Sequence, residues 1–369
     1  MRFLVTGAEV FIGRNIAFEL KRLGHEVTAV TGCGDLSAEG SFDAVFHTAT
    51  LHRGADEAII ETNVGGTELL ISALEKLGCP PVVYVSTEKE GDGSAYGSSK
   101  AEAHRLLVKY AEKNNTYLRV LKLAGEFGKW AMPNYNSVTA TFCNNAAAGV
   151  PLTVNDPSAP LRLMYIDDIV NAAVACALGG FGGETEAEVS VEPVYEITVG
   201  RLAEITEGFS DVRTKLDLPD IEDEFIKKLY STYLSYLPEE CFAYPLTVHA
   251  DHRGSFTELL HFGGKGQVSV NISKPHVTKG DHWHHTKIEK FIVVSGSGLF
   301  RFRRVGDDKV IEVPVSADDM RVVDIPVGYT HSIENTGESD LITIIWANEV
   351  FDPERPDTYY EKVLKEDQK

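Results

Sequence analysis

Four histidines crowd into one short stretch of the C-terminal third, residues 276–285. Histidine is the commonest metal ligand and the side chain most easily tuned as a base near neutral pH. His282 and His284 are two residues apart, so on a β-strand their imidazoles point to the same face. The spacing therefore predicts a metal site or a catalytic base on one strand face. The hydrophobic run KFIVVSG follows at once and indicates a further strand.

A tyrosine and a lysine form a second candidate site, in STEKEGDGSAYGSSK. Tyr96 and Lys100 are four residues apart, so on a helix they share a face. A nearby ammonium favours the phenolate, so we expect the pKa of Tyr96 to be lowered and the phenol to serve as an acid or base. Thr87, at the end of the preceding strand, is placed to hydrogen-bond a reacting oxygen, and Ser86 is the alternative.

A glycine loop, TGAEVFIG, lies where the first strand ends and the first helix begins. Gly7 permits a tight turn, Gly13 permits close packing of helix on strand, and the helix N-terminus offers N–H groups to a pyrophosphate. Val10 stands where the usual pattern has its middle glycine. The sequence therefore predicts a dinucleotide site whose loop is shifted or whose grip on the cofactor is weakened.

These pieces resemble the extended short-chain dehydrogenase/reductases that act on nucleotide sugars, over residues 1 to about 240. The matching stretches are TGAEVFIG, VFHTAT, TN at Thr62–Asn63, VST, YGSSK and RLMYIDDIVNA. The resemblance implies a catalytic trio of Thr87, Tyr96 and Lys100. It also implies that Asn134 in PNYNSV and Arg162 contact the sugar nucleotide. The residues expected at the cofactor are Gly7, Val10, Gly13, Arg14, Asp35, Asn63, Tyr96 and Lys100.

The choice of nicotinamide depends on the end of the second strand. An acidic residue there would bind the ribose hydroxyl of NAD, but EVTAVTG ends in Thr31 and Gly32. Arg14, just after the glycine loop, is placed to meet a 2′-phosphate, although a solvated arginine is an equal reading. We expect NADPH. An aspartate like Asp35 often meets the adenine in this family.

The histidine-rich segment and PVGYTHSIEN together resemble the two metal-binding motifs of the cupin superfamily, which are small β-barrels. The first reads H-x-H-x-x-x-x-E, although its leading glycine is replaced by His276. The resemblance implies one Zn²⁺ or another divalent transition metal, which suits three imidazoles and a carboxylate. His276 and His285 are not expected to be ligands. The ligands expected are His282, His284, Glu289 and His331.

A further segment, DHRGSFTE at residues 251–258, resembles the opening strand of the dTDP-4-dehydrorhamnose 3,5-epimerases, which are also cupins. The resemblance implies that Arg253 and Glu258 contact a 4-keto sugar. KGDH resembles the segment of that family whose histidine abstracts the proton, so His282 is both a candidate ligand and a candidate base. Lys279 and Tyr329 are the other candidates for acid–base work, and these alternatives stay open.

Nearly the whole chain resembles CapF-type bifunctional capsular polysaccharide enzymes, which join the reductase to a cupin on the pathway to UDP-N-acetyl-L-fucosamine. FGKWAMPNYNSV, LYSTYLSYLP, GQVSVNISKP and DIPVGYTHSIEN carry this resemblance. It implies that the cupin epimerises C3 of a UDP-2-acetamido-2,6-dideoxy-4-hexulose. The reductase then reduces the C4 ketone with NADPH to UDP-2-acetamido-2,6-dideoxy-L-talose.

The alternative is a reductase whose cupin is a non-catalytic, metal-stabilised module for sugar binding or dimerisation. Arg253, Glu258 and Lys279 argue against it, because a purely structural barrel has no use for such side chains inside.

Composition argues against several classes of partner and of cellular location. The net charge of −20 argues against nucleic acid and anionic membranes as partners. The cysteines are odd in number and form no C-x-x-C pair, which is typical of free thiols in a reducing compartment. MRFLVTGAEVF lacks the features of a signal peptide and no long apolar stretch exists, so we expect a cytoplasmic protein. We also expect a homodimer.

The elements that must position these residues change character along the chain. Strand-like and helix-like runs alternate over the first 180 residues, which predicts crossover units and a parallel sheet. After residue 245 the runs are short, rich in Val, Ile and Phe, and separated by turn residues, which predicts a barrel or sandwich. We therefore expect an α/β Rossmann-like extended reductase domain over 1–245. An all-β cupin barrel, a double-stranded β-helix, follows over 246–369.

Overall fold

The structure is a computed structural model that describes residues 1–33 and 40–365. Over these residues the chain forms two compact units. The N-terminal unit comprises Met1–Gly208 and Lys228–Pro238, and the C-terminal unit comprises Phe209–Lys227 and the chain from Glu239 onward. The chain thus passes from one unit to the other more than once between 208 and 239. A domain boundary near residue 245 stays a prediction.

Strands and helices alternate in the N-terminal unit, as the sequence predicts. Its elements are β1 (Arg2–Thr6), α1 (Phe11–Arg22), β2 (Glu26–Val30), β3 (Ala44–His47), α2 (Asp56–Ile60), a π-helical turn (Glu61–Gly65), α3 (Gly66–Lys76), β4 (Val82–Thr87), α4 (Ala95–Asn114), β5 (Leu118–Leu123), β6 (Gly125–Phe127), α5 (Val138–Ala147), β7 (Pro160–Tyr165), α6 (Ile166–Leu178), β8 (Glu186–Glu188) and β9 (Tyr195–Thr198).

The main sheet of this unit is parallel and has the strand order β2-β1-β3-β4-β5-β8. The order reverses between β1 and β3, and open α/β sheets bind ligands at the carboxyl ends of the strands at such a point. Both faces of the sheet are covered. Along β1, Phe3 and Val5 pack into one apolar cluster and Leu4 packs into the other. This explains why the strands are continuous hydrophobic runs without alternation.

The sequence predicts that the segment 213–245 is helical and then interrupted by proline. It contains the end of one helix, the whole of a second and an irregular stretch. The helices are α7 (Val199–Lys215) and α8 (Glu224–Leu234), and a 3₁₀ turn follows at Glu239–Cys241. Between the helices, the backbone of Leu216 and Leu218 bonds that of His261. The stretch 209–227 therefore belongs structurally with the C-terminal unit.

The C-terminal unit consists of strands from residue 248 onward. They are β10 (Val248–Asp251), β11 (Gly254–His261), β12 (Gln267–Ser273), β13 (Thr278–Trp283), β14 (Glu289–Ser295), β15 (Ser297–Arg304), β16 (Val310–Ser316), β17 (Val322–Ile325), β18 (Tyr329–Asn335), β19 (Leu341–Ala347) and β20 (Tyr359–Tyr360).

These strands form two antiparallel sheets, in the orders β10-β11-β12-β19-β14-β17 and β16-β15-β18-β13-β20. Alternate residues of β14 and β15, such as Phe291, Val293, Phe300 and Phe302, are buried in one apolar cluster. This period of two is what sheets with one buried face require. The predicted fold class, a Rossmann-like domain followed by an all-β cupin barrel, is confirmed. In the described residues, no helix is long and apolar enough to cross a membrane.

Candidate active site and metal centre

The glycine loop after β1 is packed tightly against its neighbours. Gly7 has a φ of +66°, and a Cβ there would lie 2.7 Å from the Cα of Ala49. A Cβ at Gly13 would lie 2.2 Å from the carbonyl oxygen of Gly7. Both positions therefore require glycine, and they leave a cradle of bare backbone where the strand order reverses. Such a cradle fits the pyrophosphate of a dinucleotide, which must approach the backbone closely.

Val10 is accommodated in this loop by facing solvent. It is the N-cap residue of α1 and 43% exposed. Its N–H donates to the carbonyl of Gly7 at 3.2 Å, and its own carbonyl accepts from the N–H of Arg14 at 2.8 Å. The loop thus closes as a normal helix start despite the branched side chain. A weaker grip on the cofactor at this position stays a prediction.

The remaining cofactor candidates differ in their surroundings. Arg14 is exposed on α1, and its guanidinium lies 4.6 Å from the ring centroid of Trp130. Asn63 is buried, and its amide bonds the backbone of Leu51 and the hydroxyl of Ser99. Asn63 therefore ties the loop after β3 to α4. Asp35 lies outside the described residues.

A cavity of about 390 Å³ opens at the carboxyl ends of β4 and β5. Thr87 and Tyr96 both line it, so the structure brings together the two hydroxyl groups that the sequence singles out. The helix that carries Tyr96 is fixed at its start by Ser94, whose side chain accepts from the N–H of Gly97 at 2.9 Å. Other groups on the cavity wall include His52, Glu126, Asn136 and Arg162.

The two candidate hydroxyls of strand β4 have different partners. Thr87 faces the cavity, and its hydroxyl oxygen accepts from the N–H of Lys89 at 3.2 Å. Ser86 is buried and donates to the carboxylate of Glu90. The geometry therefore places Thr87, and not Ser86, against the space where a substrate would lie.

The pKa of Tyr96 is raised, chiefly because the phenol is buried and further because the carboxylate of Glu126 is near. The sequence predicts a lowered pKa for Tyr96, because of the ammonium of Lys100, and that prediction is wrong. Lys100 Nζ donates to the carbonyl of Val85 at 2.8 Å and lies 4.3 Å from the ring centroid of Tyr84. The ammonium is thus held by other partners, and burial decides the shift. Tyr96 accordingly keeps its proton at neutral pH.

Two other groups at this site have a pKa near neutrality. Burial lowers the pKa of Lys100 to about 7. Burial raises the pKa of Glu126, on the cavity wall, to about 7. Proton exchange at these groups is therefore easy at physiological pH.

A chain of polar side chains runs from strand β4 to strand β8. Glu90 accepts from Ser86, and His104 Nδ1 lies 3.2 Å from Glu90. The other ring nitrogen of His104 lies 2.8 Å from the carboxylate of Glu186. The hydrogen bond to Glu90 raises the pKa of His104, against the effect of burial, and Glu186 adds to the rise. The folded protein therefore holds the His104 proton more tightly than the unfolded chain does.

This linkage predicts a pH-dependent contribution of His104 to stability. Because its folded-state pKa is raised, the contribution is full below the ordinary histidine pKa and is lost as pH rises through the raised value. We expect His104→Ala to lower the free energy of unfolding by about 1.5–3 kcal/mol at pH 6, the range for a charged hydrogen bond. Chemical denaturation at pH 6 and pH 9 checks this. Glu186→Gln changes the more exposed of the two partners, so it should lower the free energy of unfolding by less than His104→Ala does. A deficit independent of pH would contradict the assignment.

The sugar-nucleotide candidates are placed unequally. Arg162 lines the cavity, and its guanidinium lies 2.5 Å from the carboxylate of Glu88 and 3.6 Å from that of Glu196. Asn134 is exposed and is not part of the cavity lining, whereas Asn136 is. Within PNYNSV the structure therefore brings the second asparagine to the cavity, and the contact predicted for Asn134 is not supported by its position.

In the C-terminal unit, the predicted metal ligands converge. One potential ligand atom from each of four residues lies within 4.8 Å of all the others, and these residues are His282, His284, Glu289 and His331. His282 on β13 is directly opposite His331 on β18 in the strand register, which explains how the segments meet. His276 and His285 are not members of the cluster.

The atoms of this cluster lack other partners. Among the described residues, His284 Nε2, His331 Nε2 and Glu289 Oε2 are buried and have no hydrogen-bond partner. The Oε2 atom lies 3.3 Å from His284 Nε2 and 3.6 Å from His331 Nε2. Buried polar atoms are normally satisfied. A divalent ion held by these side chains would satisfy all three, so the residues fit the metal that the sequence predicts.

The protonation states of two cluster members suit the same conclusion. Burial lowers the pKa of His282 to about 4. Burial acts to raise the pKa of Glu289, but the neighbouring imidazoles of His284 and His331 hold it well below its usual range. A neutral imidazole and an ionised carboxylate are the forms that bind metals.

Lys279 lies on β13, the strand that carries His282 and ends directly before His284. Its Nζ donates to Asn271 Oδ1 and to the carbonyl of Ile272, both at 2.8 Å. Burial lowers the pKa of Lys279. The register of β13 against β18 shifts between Gly280 and His282, which marks a β-bulge. Lys279 is therefore a half-buried amine whose pKa is lowered, on the strand that carries His282.

The structure also places the other residues that the sequence predicts for epimerisation, Arg253, Glu258 and Tyr329. Arg253 is exposed at the β10–β11 turn, where its guanidinium bonds Asp251 at 2.7 Å. The expectation that Arg253 lies inside the barrel is wrong, because the turn keeps it beside its own acidic neighbour. Glu258 lies 3.3 Å from His261 Nε2, and Tyr329 is half-buried at the start of β18.

Sequence reasoning missed three residues at these sites. His52 packs against Tyr96, with ring centroids 4.9 Å apart. Glu126 lines the same cavity just beyond the end of β5, and its place at a strand's carboxyl end is the signal that could have found it. Asp357 accepts a hydrogen bond from His284 Nδ1 through its backbone carbonyl, at 2.6 Å. Asp357 is 73 residues from His284 along the chain, so no local sequence pattern indicates this contact.

Comparisons with known families divide the chain in the same way. Residues 3–185 match the NAD dependent epimerase/dehydratase family. Residues 249–359 match the polysaccharide biosynthesis C-terminal domain.

Similar proteins match over the full length. The chain is 38% identical over 368 residues to a UDP-2-acetamido-2,6-beta-L-arabino-hexul-4-ose reductase of Pseudomonas aeruginosa, covering 97% of this chain and 98% of the relative. It is similar to the crystal structure of the capsular polysaccharide assembling protein CapF from Staphylococcus aureus, with a TM-score of 0.88 and 40% identity, covering 98% of this chain and all of that one. A UDP-glucose 4-epimerase of Thermotoga maritima shares the fold over part of the chain, with a TM-score of 0.52 and 19% identity, covering 64% of this chain and 98% of that one.

Proposed function

Because the chain belongs to the family of CapF and the UDP-hexulose reductase, with an NAD-dependent epimerase/dehydratase domain, we propose that it is a bifunctional nucleotide-sugar enzyme. The N-terminal unit reduces the C4 ketone of a UDP-linked 4-keto-6-deoxy amino sugar. The C-terminal unit epimerises C3 beforehand. The product is UDP-2-acetamido-2,6-dideoxy-L-talose, for capsule or O-antigen synthesis on the way to an N-acetyl-L-fucosamine donor.

The observation that carries the reductase proposal is the cavity that Thr87 and Tyr96 share. The Gly7 and Gly13 cradle would hold the nicotinamide dinucleotide, which supplies the hydride when bound. Tyr96 donates its proton to the C4 oxygen as the ketone becomes an alcohol, while Thr87 hydrogen-bonds the same oxygen. A raised phenol pKa suits this direction, because reduction needs a protonated donor. Lys100, whose pKa is about 7, is placed one helical turn from Tyr96 and assists its reprotonation.

The epimerase proposal follows from the acidity that a C4 ketone gives to the hydrogen at C3. A base must remove that proton, and the resulting enolate must be stabilised. His282 cannot take a proton through a nitrogen that binds a metal, so Lys279 is the favoured base. The four clustered side chains would hold Zn²⁺ or another divalent transition metal, which acts as a Lewis acid at an oxygen or as a structural ion.

One experiment tests both steps. The protein is incubated in deuterated water with a UDP-2-acetamido-2,6-dideoxy-4-hexulose, first without and then with NADPH. We expect deuterium at C3 without NADPH, followed by a reduced sugar when NADPH is added. No reduction would exclude the reductase. Deuterium that enters only with NADPH would favour the alternative, a non-catalytic cupin for sugar binding or dimerisation. The exposed position of Arg253 is the observation that favours this non-catalytic alternative.

We further propose that NADPH is the cofactor and that Arg14 binds its 2′-phosphate. Arg14→Ala should raise KM for NADPH about 10–100-fold, because a hydrogen bond to a charged group is worth about 1.5–3 kcal/mol. KM for NADH should not change. Arg22→Ala is the matched control, since Arg22 lies on the same helix and bonds Glu19. Equal effects on both cofactors would contradict the assignment. The homodimer and the cytoplasmic location stay predictions.

A further inference from the structure

The last part of the described chain lies along β13, the strand that carries His282 and ends directly before His284. We call residues 352–363 the C-terminal segment. Its strand β20 pairs antiparallel with β13, so that Tyr360 is opposite His282 and Tyr359 is opposite Trp283. The ring of Tyr359 packs on that of Trp283, with centroids 5.0 Å apart. The segment thus forms the outer neighbour of the metal-ligand strand.

Asp357, within this segment, makes two kinds of contact with the ligand loop. Its backbone carbonyl accepts from His284 Nδ1 at 2.6 Å. Its carboxylate accepts from the backbone N–H groups of His285 at 3.1 Å and of Thr286 and Lys287 at 2.8 Å each. One residue therefore holds both the imidazole and the loop that leads from His284 toward Glu289.

The contact to His284 fixes which ring nitrogen carries the hydrogen. A carbonyl oxygen only accepts, so Nδ1 carries a hydrogen, and in the neutral imidazole Nε2 is the nitrogen that offers its lone pair to an ion. That Nε2 is one of the buried atoms without a partner in the described chain, and it faces Glu289 at 3.3 Å. Groups that bond the far nitrogen of a metal-binding histidine set its tautomer and ring orientation.

The far end of the segment is anchored independently of Asp357. Arg303 is 2% exposed, and it donates to the carbonyls of Lys362 and Val363 at 2.7 and 2.9 Å. The N–H of Val363 donates to Asp281 Oδ1 at 3.0 Å. Asp281 precedes His282 directly. The segment is therefore fastened at Asp357 and again at residues 361–363, and its partners include residues that flank His282 and His284.

We propose that the C-terminal segment is a positioning element of the metal centre, with Asp357 as its principal residue. Docking of the segment presents His284 Nε2 to the ion, and the bound ion in turn holds the segment in place. The two equilibria are coupled, so each strengthens the other by the same factor. This inference rests on the proposed metal site, and it assigns Asp357 no contact with substrate.

The first test measures affinity for Zn²⁺ alone, by competition with a colorimetric chelator on the full chain. Asp357→Ala keeps the backbone carbonyl but removes the carboxylate that holds the N–H groups of residues 285–287. Because this frees the loop that carries His284, it should weaken binding about 10–100-fold, the range usual for outer partners of metal ligands. Asp352→Ala is the matched control. It lies in the same segment, but its carboxylate bonds Glu354 and Arg355 of its own turn, so affinity should not change.

The second test uses the unaltered protein, so it does not depend on how the variant folds. Hydrogen exchange at the amides of Glu361 and Val363, which bond Asp281, should accelerate when a chelator removes the metal. Coupling predicts an acceleration by about the same 10–100-fold.

The outcomes separate the two proposals. An unaltered chain that binds no Zn²⁺ overturns the metal centre itself. If the unaltered chain and Asp357→Ala bind Zn²⁺ equally well, the segment does not position the metal centre. Exchange rates that are the same with and without metal would have the same meaning. Both results leave the metal centre itself unaffected.

Discussion

Replacing Tyr96 by phenylalanine should lower the rate of NADPH-dependent ketone reduction by about 10²–10⁴-fold. General acid catalysis contributes about that factor, and the substitution removes only the proton donor. The cavity that Tyr96 shares with Thr87 stays intact, because the ring that packs against His52 is retained. KM for the sugar should therefore change much less than kcat. Steady-state rates of NADPH oxidation with the UDP-4-keto sugar give both values.

Two further measurements make this result specific. Tyr135→Phe removes a hydroxyl from an exposed tyrosine outside the cavity lining, and it should leave the rate unchanged. In Tyr96→Phe itself, deuterium should still enter C3 of the keto sugar, because proton exchange beside a ketone needs no hydride. Unchanged NADPH consumption in Tyr96→Phe would defeat the assignment of the proton donor. Loss of deuterium entry would mean that the two activities share a residue.

Replacing His284 and His331 together by alanine should abolish stoichiometric binding of divalent metal. The two histidines carry two of the buried nitrogen atoms that converge on Glu289, and two remaining donors do not form a tetrahedral site. Metal analysis of protein purified without chelator checks the stoichiometry. Added Zn²⁺ at 100 times its Kd should stabilise the unaltered protein by about 2.7 kcal/mol and the variant not at all.

The matched control replaces the two histidines of the same segment that lie outside the cluster. His276→Ala with His285→Ala should bind one metal per chain, as the unaltered protein does. An unaltered protein without metal would count against the site. If metal is bound but Glu289→Gln spares epimerisation, the ion is structural, because a shell closed by four protein ligands leaves no position for substrate.

The sequence predicts those parts of the sites that rest on local periodicity. His282, on β13, and His284, directly after its end, converge because alternate residues of an extended chain share a face. Gly7 and Gly13 mark the cradle because only glycine fits where the loop touches its neighbours. The strands of both units are also evident in the sequence. Strands of a sheet covered on both faces are continuous hydrophobic runs, and strands of a sheet covered on one face alternate between buried and exposed residues.

The remainder depends on contacts between residues distant in sequence, which spacing does not encode. The pKa of Tyr96 is set by burial and by Glu126, not by Lys100 four residues away. Asn134 and Asn136 are equivalent in the motif, and only the path of the chain brings the second to the cavity. Asp357 reaches His284 across 73 residues of sequence.

The bulge in β13 decides which side of the sheet Lys279 occupies. Lys279 and His282 are an odd number of residues apart, so an uninterrupted strand would point them in opposite directions. The extra residue resets the alternation: Lys279 is opposite Ile333, His282 is opposite His331, and both pairs share one side. In a strand of the same length without the bulge, Lys279 would point to the side opposite His282. The bulge therefore brings the proposed base to the side of the predicted metal ligands.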